Sequence, residues 1–124
     1  MLSERFPGDR MELSWITVNR VLVVRVSGRL DITKAETFER SVVDRLSKEP
    51  ADIVINLSRV TYMSSSGIGA LLAVFRFIGG KEKKMAICEV SPVVKKLLDV
   101  VEIGQIFKIF DHEDDAIASF SSSV

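Results

Sequence analysis

The stretch VTYMSSSGIGALL, residues 60–72, sets three serines and two glycines between an apolar strand and an apolar helix. Upstream, DIVINL (52–57) is nearly continuously apolar, the pattern of a central strand covered by helices. Downstream, Ile68, Ala70, Leu71, Leu72, Ala73, Val74 and Phe75 cover every side of a helical axis, which predicts a mostly buried helix. Its N-terminal end then lies where the central strand exits, the edge at which open α/β sheets carry their sites. Serine in a first turn caps backbone N–H groups that lack a helical partner. Gly67 and Gly69 each lower helix propensity by about 1 kcal/mol relative to alanine, so their small size must serve close packing or a partner's approach. Free donors and the positive dipole end point outward there, which makes the turn receptive to an anion.

The flanking sequence supplies the rest of the sheet. LSWITV (13–18) and VLVVRV (21–26) are β-rich runs separated by Asn19-Arg20, a tight hairpin. Thr33 and Glu36 are spaced as a capping box, and Ala35, Phe38, Val42 and Leu46 form one helical stripe that ends before Pro50. MAICEV (85–90) and IFKIF (106–110) are further strands. Ser91-Pro92 opens a helix with Val93, Val94, Leu97, Leu98 and Val101 on its apolar face. Asp111 is expected to cap a last helix with an acidic first turn and Ala116, Ile117 and Phe120 turned inward. Strands and helices alternate after the hairpin. The expected fold class is α/β, one domain over 12–120 with a mixed sheet of about five strands and about four packed helices. Residues 1–11 are expected to form a flexible leader and 121–124 a flexible tail.

Composition narrows the function. Basic and acidic residues number 17 each and cancel, so neither nucleic acid nor an anionic membrane is the expected partner. With one cysteine, Cys88, the chain has no disulfide framework and no cysteine zinc site. The longest apolar run, Gly67 to Phe75, falls well short of the ~18 residues a membrane span requires. The charged N-terminus, broken by Pro7-Gly8, does not resemble a signal peptide. A cytoplasmic monomer with no cofactor and no metal is the expectation.

Catalytic readings of the opening stretch fail on spacing. A nucleophile elbow needs glycine two residues before the serine, and Met63 stands there relative to Ser65. Gly67-Ile68-Gly69 reaches Leu72 where a dinucleotide fingerprint needs glycine or alanine. Gly80-Lys81 lacks both the upstream glycine and the following Ser/Thr of a P-loop. His112, the only histidine, has no nucleophile nearby and is expected at the surface. Cys88 alternates with Ala86 and Val90 as a buried thiol would, and Trp15 is expected to pack beside the first hairpin. Asp111, Glu113, Asp114 and Asp115 lack calcium-loop spacing and fit a solvated first turn; the lysine turn at 81–84 fits a wet connection. No catalytic residue is expected. The plainest reading of Ser64, Ser65 and Ser66 is an N-cap and a turn. A phosphate placed covalently on them would also suit the helix start, and would add roughly −1.5 to −2 charges to a neutral surface.

NLSRVTYMSSSGIGALL, residues 56–72, resembles the signature of bacterial anti-sigma factor antagonists of the STAS-domain family. The resemblance extends to the early hairpin, to Gly28-Arg29-Leu30-Asp31, and to the strand–helix order through Phe120. It implies a protein-binding switch. Such antagonists bind an anti-sigma factor that is itself a serine kinase, and so release a sigma factor for transcription. The kinase phosphorylates a serine of the antagonist and abolishes binding; a PP2C-type phosphatase reverses it. Anchored on Met63 and Gly67, that serine falls on Ser65, with Ser64 and Ser66 as competing acceptors. The partner surface implied comprises Gly28, Arg29, Asp31, Met63, Ser64, Ser65, Ser66, Gly67 and Ile68. Two positions depart from the family pattern. Ser64 stands where Asp usually precedes the modified serine, and Arg29 where many relatives carry Glu. The first departure keeps open an alternative: a STAS scaffold or adaptor that is never phosphorylated, in a stressosome-like or transport complex.

Overall fold

A computed structural model describes residues 10–121. β1 (Met11–Val18) runs antiparallel to β2 (Val21–Leu30). β3 (Asp52–Met63), β4 (Met85–Cys88) and β5 (Lys108–Phe110) follow in parallel, so the five-stranded mixed sheet keeps the chain order from edge to edge. Between the parallel strands lie α1 (Ile32–Lys48), α2 (Ser65–Gly79) and α3 (Pro92–Val100), and the last element is α4 (Glu113–Ser121). The hairpin at Asn19-Arg20 forms as expected, with φ of 51° and 69°, the doubly left-handed turn whose twist matches its strands. β1 begins at Met11 and α4 reaches Ser121, one residue beyond the expected domain limits at each end. The remainder of the expected leader and tail, 1–9 and 122–124, lies outside the described residues.

The alternation of side chains along β2 divides the core in two. Leu22, Val24 and Val26 face one way, toward Ala35, Phe38, Val42 and Leu46 of α1, Leu71, Val74 and Ile78 of α2, and Val94 and Leu98 of α3. Phe75 meets Phe107 edge to face at 5.1 Å beneath this layer. Trp15 packs at its margin under the Arg45 guanidinium, 4.8 Å from the ring. Val21 and Val23 face the other way, with Val54, Ala86 and Cys88, and are covered by Ala116 and Ile117 of α4. The Cys88 thiol is fully buried there; burial first, then the carboxylates of Glu113 and Glu89, pushes it up to about 12. Among the described residues no helix is long and apolar enough to cross a membrane.

Several ends differ from the sequence expectation, each for a local reason. Asp31, not Thr33, caps α1: its Oδ1 accepts from the Thr33 backbone N–H (3.1 Å) and hydroxyl (2.7 Å), so the Thr33–Glu36 box does not form. β2 runs through Gly28 to Leu30 instead of ending at Val26. Gly28 takes φ +95° at a register shift, where a Cβ would lie 1.8 Å from the Arg10 carbonyl oxygen. β3 likewise continues to Met63, and β4 and β5 are shorter than expected. Ser91 occupies the N-cap of α3 but donates its hydroxyl to the Val60 carbonyl (2.9 Å), tying the start of α3 to β3. Val93 and Val101, expected on the apolar face of α3, are exposed, leaving Val94 and Leu98 to anchor it.

The acidic start of α4 is not uniformly solvated. Asp111, His112, Asp114 and Asp115 are exposed, but Glu113 turns inward. Its carboxylate takes a bidentate pair from Arg25 (3.1 and 2.7 Å) and a hydrogen bond from Asn56 Nδ2 (2.8 Å). Asn56 is the only buried polar side chain among the described residues, and its Oδ1 accepts from the Ser58 N–H. The Glu113 N–H donates to the Glu89 carboxylate (2.9 Å), so a side chain from the connection after β4 does the capping expected of Asp111. The Arg25 hydrogen bonds hold the Glu113 carboxyl below its usual range, opposed in part by burial and helped by Asn56.

A carboxyl depressed on folding stabilises the native state above its unfolded pKa of about 4.3, and that contribution is lost as pH falls through the folded value. Glu113→Gln should therefore lower stability at pH 7 and flatten the acid limb of the stability curve below about pH 4.5. Urea unfolding of both proteins between pH 3 and 7 reads this; parallel curves would refute it.

Candidate functional site

Two helix starts meet at the C-terminal rim of the sheet. Leu30 and Met63 are register partners at the ends of β2 and β3. Each strand then turns over one capping residue into a helix, Asp31 into α1 and Ser64 into α2. The Ser64 N–H donates to the Leu30 carbonyl (3.1 Å), joining the two turns. Gly67 is buried against that same carbonyl: a Cβ there would lie 2.7 Å from Leu30 O and 2.8 Å from Met63 Cγ. Of the two roles open to this glycine, close packing is the one it fills. Ser64 is extended (φ −100°) and its hydroxyl accepts from the Gly67 N–H at 3.4 Å. Serine and aspartate are comparable caps, so the capping function survives with no carboxylate at position 64.

Exposure sorts the expected site residues. Ser65 is exposed at the first helical position and makes no side-chain hydrogen bond among the described residues; Ser64 and Ser66 are half-buried. Met63, Gly67 and Ile68 are buried. Met63 at the end of β3 and Gly67 and Ile68 in the first turn of α2 are packed against the core of the free chain. Gly28 serves the strand bulge, and its carbonyl accepts from the Thr61 hydroxyl (3.3 Å). Asp31 is half-buried, and its carboxyl is lowered first by the Thr33 hydrogen bond, against some burial. Arg29 is half-buried beside it, Nε 3.5 Å from Asp31 Oδ2 and the guanidinium carbon 4.2 Å from the Tyr62 ring centre.

Two rim residues were missed by sequence reasoning. Tyr62 is 40% exposed; Thr61 beside it is exposed too, between the buried Val60 and Met63, so the end of β3 breaks the alternation that would have placed it from sequence. Ile32 is 73% exposed because Asp31, not Thr33, caps α1 and leaves it at the first helical position. Gly69 adds a gap of a different kind. It is exposed, and a Cβ there would meet nothing within 4 Å, so the fold itself gives no reason for a glycine. The rim thus combines an exposed hydroxyl at a helix start, first-turn N–H donors, an aromatic ring, an isoleucine and a flat place beside them.

Comparison with known proteins matches residues 13–116 to the STAS domain. An anti-sigma F factor antagonist of Paenibacillus polymyxa is 34% identical over 98 residues, 78% of this chain and 84% of that protein. Among solved structures, an anti-sigma factor antagonist from Mycobacterium paratuberculosis superposes with a TM-score of 0.82 at 25% identity, covering 90% of this chain and 94% of that one. The antagonist SpoIIAA in its unphosphorylated form gives a TM-score of 0.75 at 22% identity over 93% of this chain and 99% of its own. The phosphorylated form of SpoIIAA from Bacillus gives 0.68 at 21% identity over 90% and 99%. At those identities SpoIIAA attests the fold.

The two glycines of α2 should respond oppositely to the same change. Gly67→Ala forces a methyl into the Leu30 carbonyl and should destabilise by about 1–3 kcal/mol. Gly69→Ala enters open space and should stabilise by about 0.5–1 kcal/mol. Chemical denaturation of both variants decides it; a loss of stability in Gly69→Ala would show that the gap has a structural role.

Proposed function

This chain belongs to the STAS domain family, and we propose that it acts as an anti-sigma factor antagonist whose binding is switched off by phosphate on Ser65. Unmodified, it binds an anti-sigma factor through the rim where α1 and α2 begin, and a sigma factor is released. The anti-sigma factor doubles as a serine kinase. The Ser65 oxygen attacks the γ-phosphorus of ATP; the new O–P bond forms as the bond to ADP breaks, and the hydroxyl proton passes to a base of the kinase. A PP2C-type phosphatase hydrolyses the ester with water, returning the hydroxyl and releasing inorganic phosphate. The chain itself is a cytoplasmic binding protein in this scheme and supplies no catalytic group.

The observation that carries the reading is the contrast among three adjacent serines. Ser64 is committed to the cap, Ser66 is half-buried, and Ser65 alone of the three is exposed. A phosphate on Ser65 would sit at the positive end of α2, where free N–H groups favour it, so the fold tolerates the change. A partner docked on the same rim must instead bury a near-dianion, a cost of several kcal/mol without a matching cation. Each 1.4 kcal/mol, roughly, is a tenfold loss of affinity. Gly69 fits the same scheme: its missing side chain leaves room for a partner's backbone beside the acceptor serine.

Ser65→Ala should keep binding the anti-sigma factor and escape modification, and Ser65→Asp should weaken binding only in part, because one carboxylate carries less charge. Intact mass and peptide mapping of protein from its native cell should find a phosphate within residues 64–66. Full modification of Ser65→Ala by the cognate kinase would move the acceptor to Ser64 or Ser66. Absence of any adduct, with binding unchanged by ATP, would favour the unmodified scaffold. Gly69→Leu should weaken partner binding at least tenfold while the protein stays folded.

A further inference from the structure

Resting on the reading of Ser65 as the phosphate acceptor, we propose that Arg29 is the built-in counter-ion of that phosphate, held ready on the face of Tyr62 beside Asp31. The placement follows from the joined turns. Asp31 directly follows Leu30, Ser65 directly follows Ser64, and the Ser64 N–H is bonded to the Leu30 carbonyl at 3.1 Å. Asp31 and Ser65 therefore flank one hydrogen bond. Arg29 reaches Asp31 from β2, its Nε 3.5 Å from Asp31 Oδ2.

The guanidinium is only partly used. Tyr62 supports its plane at 4.2 Å, and its ion pair with Asp31, Nε to Oδ2, is a long 3.5 Å. Asp31, for its part, is committed through Oδ1 to Thr33. A phosphate arriving next to that carboxylate creates a local excess of negative charge. The remaining fork of Arg29 is shaped to take phosphate oxygens in pairs. The other groups around the acceptor are few. Lys34 stands in the first turn of α1 and already acts on Asp31, Tyr62 lies under Arg29, and α2 carries no charged residue before Arg76. Arg29 thus makes the phosphorylated rim less anionic than its formal charge.

The test uses the full chain with phosphoserine installed at position 65 during translation, so that no kinase is required. Phosphorus NMR follows the second ionisation, which lies near pH 6 for phosphoserine. With Arg29 present it should fall about half a unit lower than in Arg29→Gln at low salt. Arg29→Lys should retain most of the lowering, and about 1 M salt should remove the difference between Arg29 and Gln. Lys34→Gln should shift it less than Arg29→Gln does. Superimposable titrations of the parent and Arg29→Gln at low salt, or a larger effect from Lys34→Gln, would overturn the proposal. Failure of the cellular switch would show separately, as an unmodified Ser65 in native protein, and would leave this titration unchanged.

Discussion

The architecture turns on one close approach: the first turn of α2 lies directly against the carbonyl oxygen of Leu30, where only glycine fits at position 67. That contact joins the ends of β2 and β3 to the starts of α1 and α2 in one small knot of backbone. The Ser64 N–H satisfies the Leu30 carbonyl, Ser64 satisfies the Gly67 N–H, and Asp31 satisfies Thr33. With the polar backbone groups paired locally, Met63 and Ile68 can bury their side chains below. Ser65 is then lifted to the surface by the same geometry that sinks its neighbours. The exposure of Ser65 is a by-product of how tightly two turns are packed.

The opposite face of the sheet is held by different means. α4 is short and contributes few large side chains, with Ala116 and Ile117 as its buried residues. The polar group of Arg25, Asn56, Glu89 and Glu113 compensates by fixing where the helix begins. Arg25 is half exposed while Glu113 is nearly covered, so the pair gains from hydrogen bonding more than from bare attraction through water. The apolar face therefore supports the rim where α1 and α2 begin, and the polar group on the other face keeps the last helix in register.

Much of this was legible in the sequence because periodicity and punctuation agreed. The alternation after the hairpin, the stripe from Ala35 to Leu46 and the serine–glycine start of α2 each specify an element without help from distant residues. What escaped was set by contacts far apart in the chain. Thr33 and Glu36 have the spacing of a capping box, yet Asp31 takes the cap one turn-start earlier because the strand before it runs longer. Ser91 sits correctly for a cap, but a carbonyl of β3 is the better acceptor within reach. Glu113 looks like any acidic first-turn residue until Arg25, on a strand 88 positions earlier, comes beside it. Gly67 and Gly69 are equivalent in a linear reading; only the folded chain separates the one that must be small from the one that is free to be.

The single cysteine illustrates how far shielding alters chemistry. With its ionisation displaced to about 12, Cys88 is almost wholly the neutral sulfhydryl at any pH a cell maintains. Disulfide exchange, alkylation and peroxide attack all proceed through the thiolate, which is then scarce and hidden behind α4. Oxidants therefore meet little reactive thiolate at this sulfur while α4 stays in place. By the same token, maleimide labelling of that sulfur would report the moment the last helix lifts away.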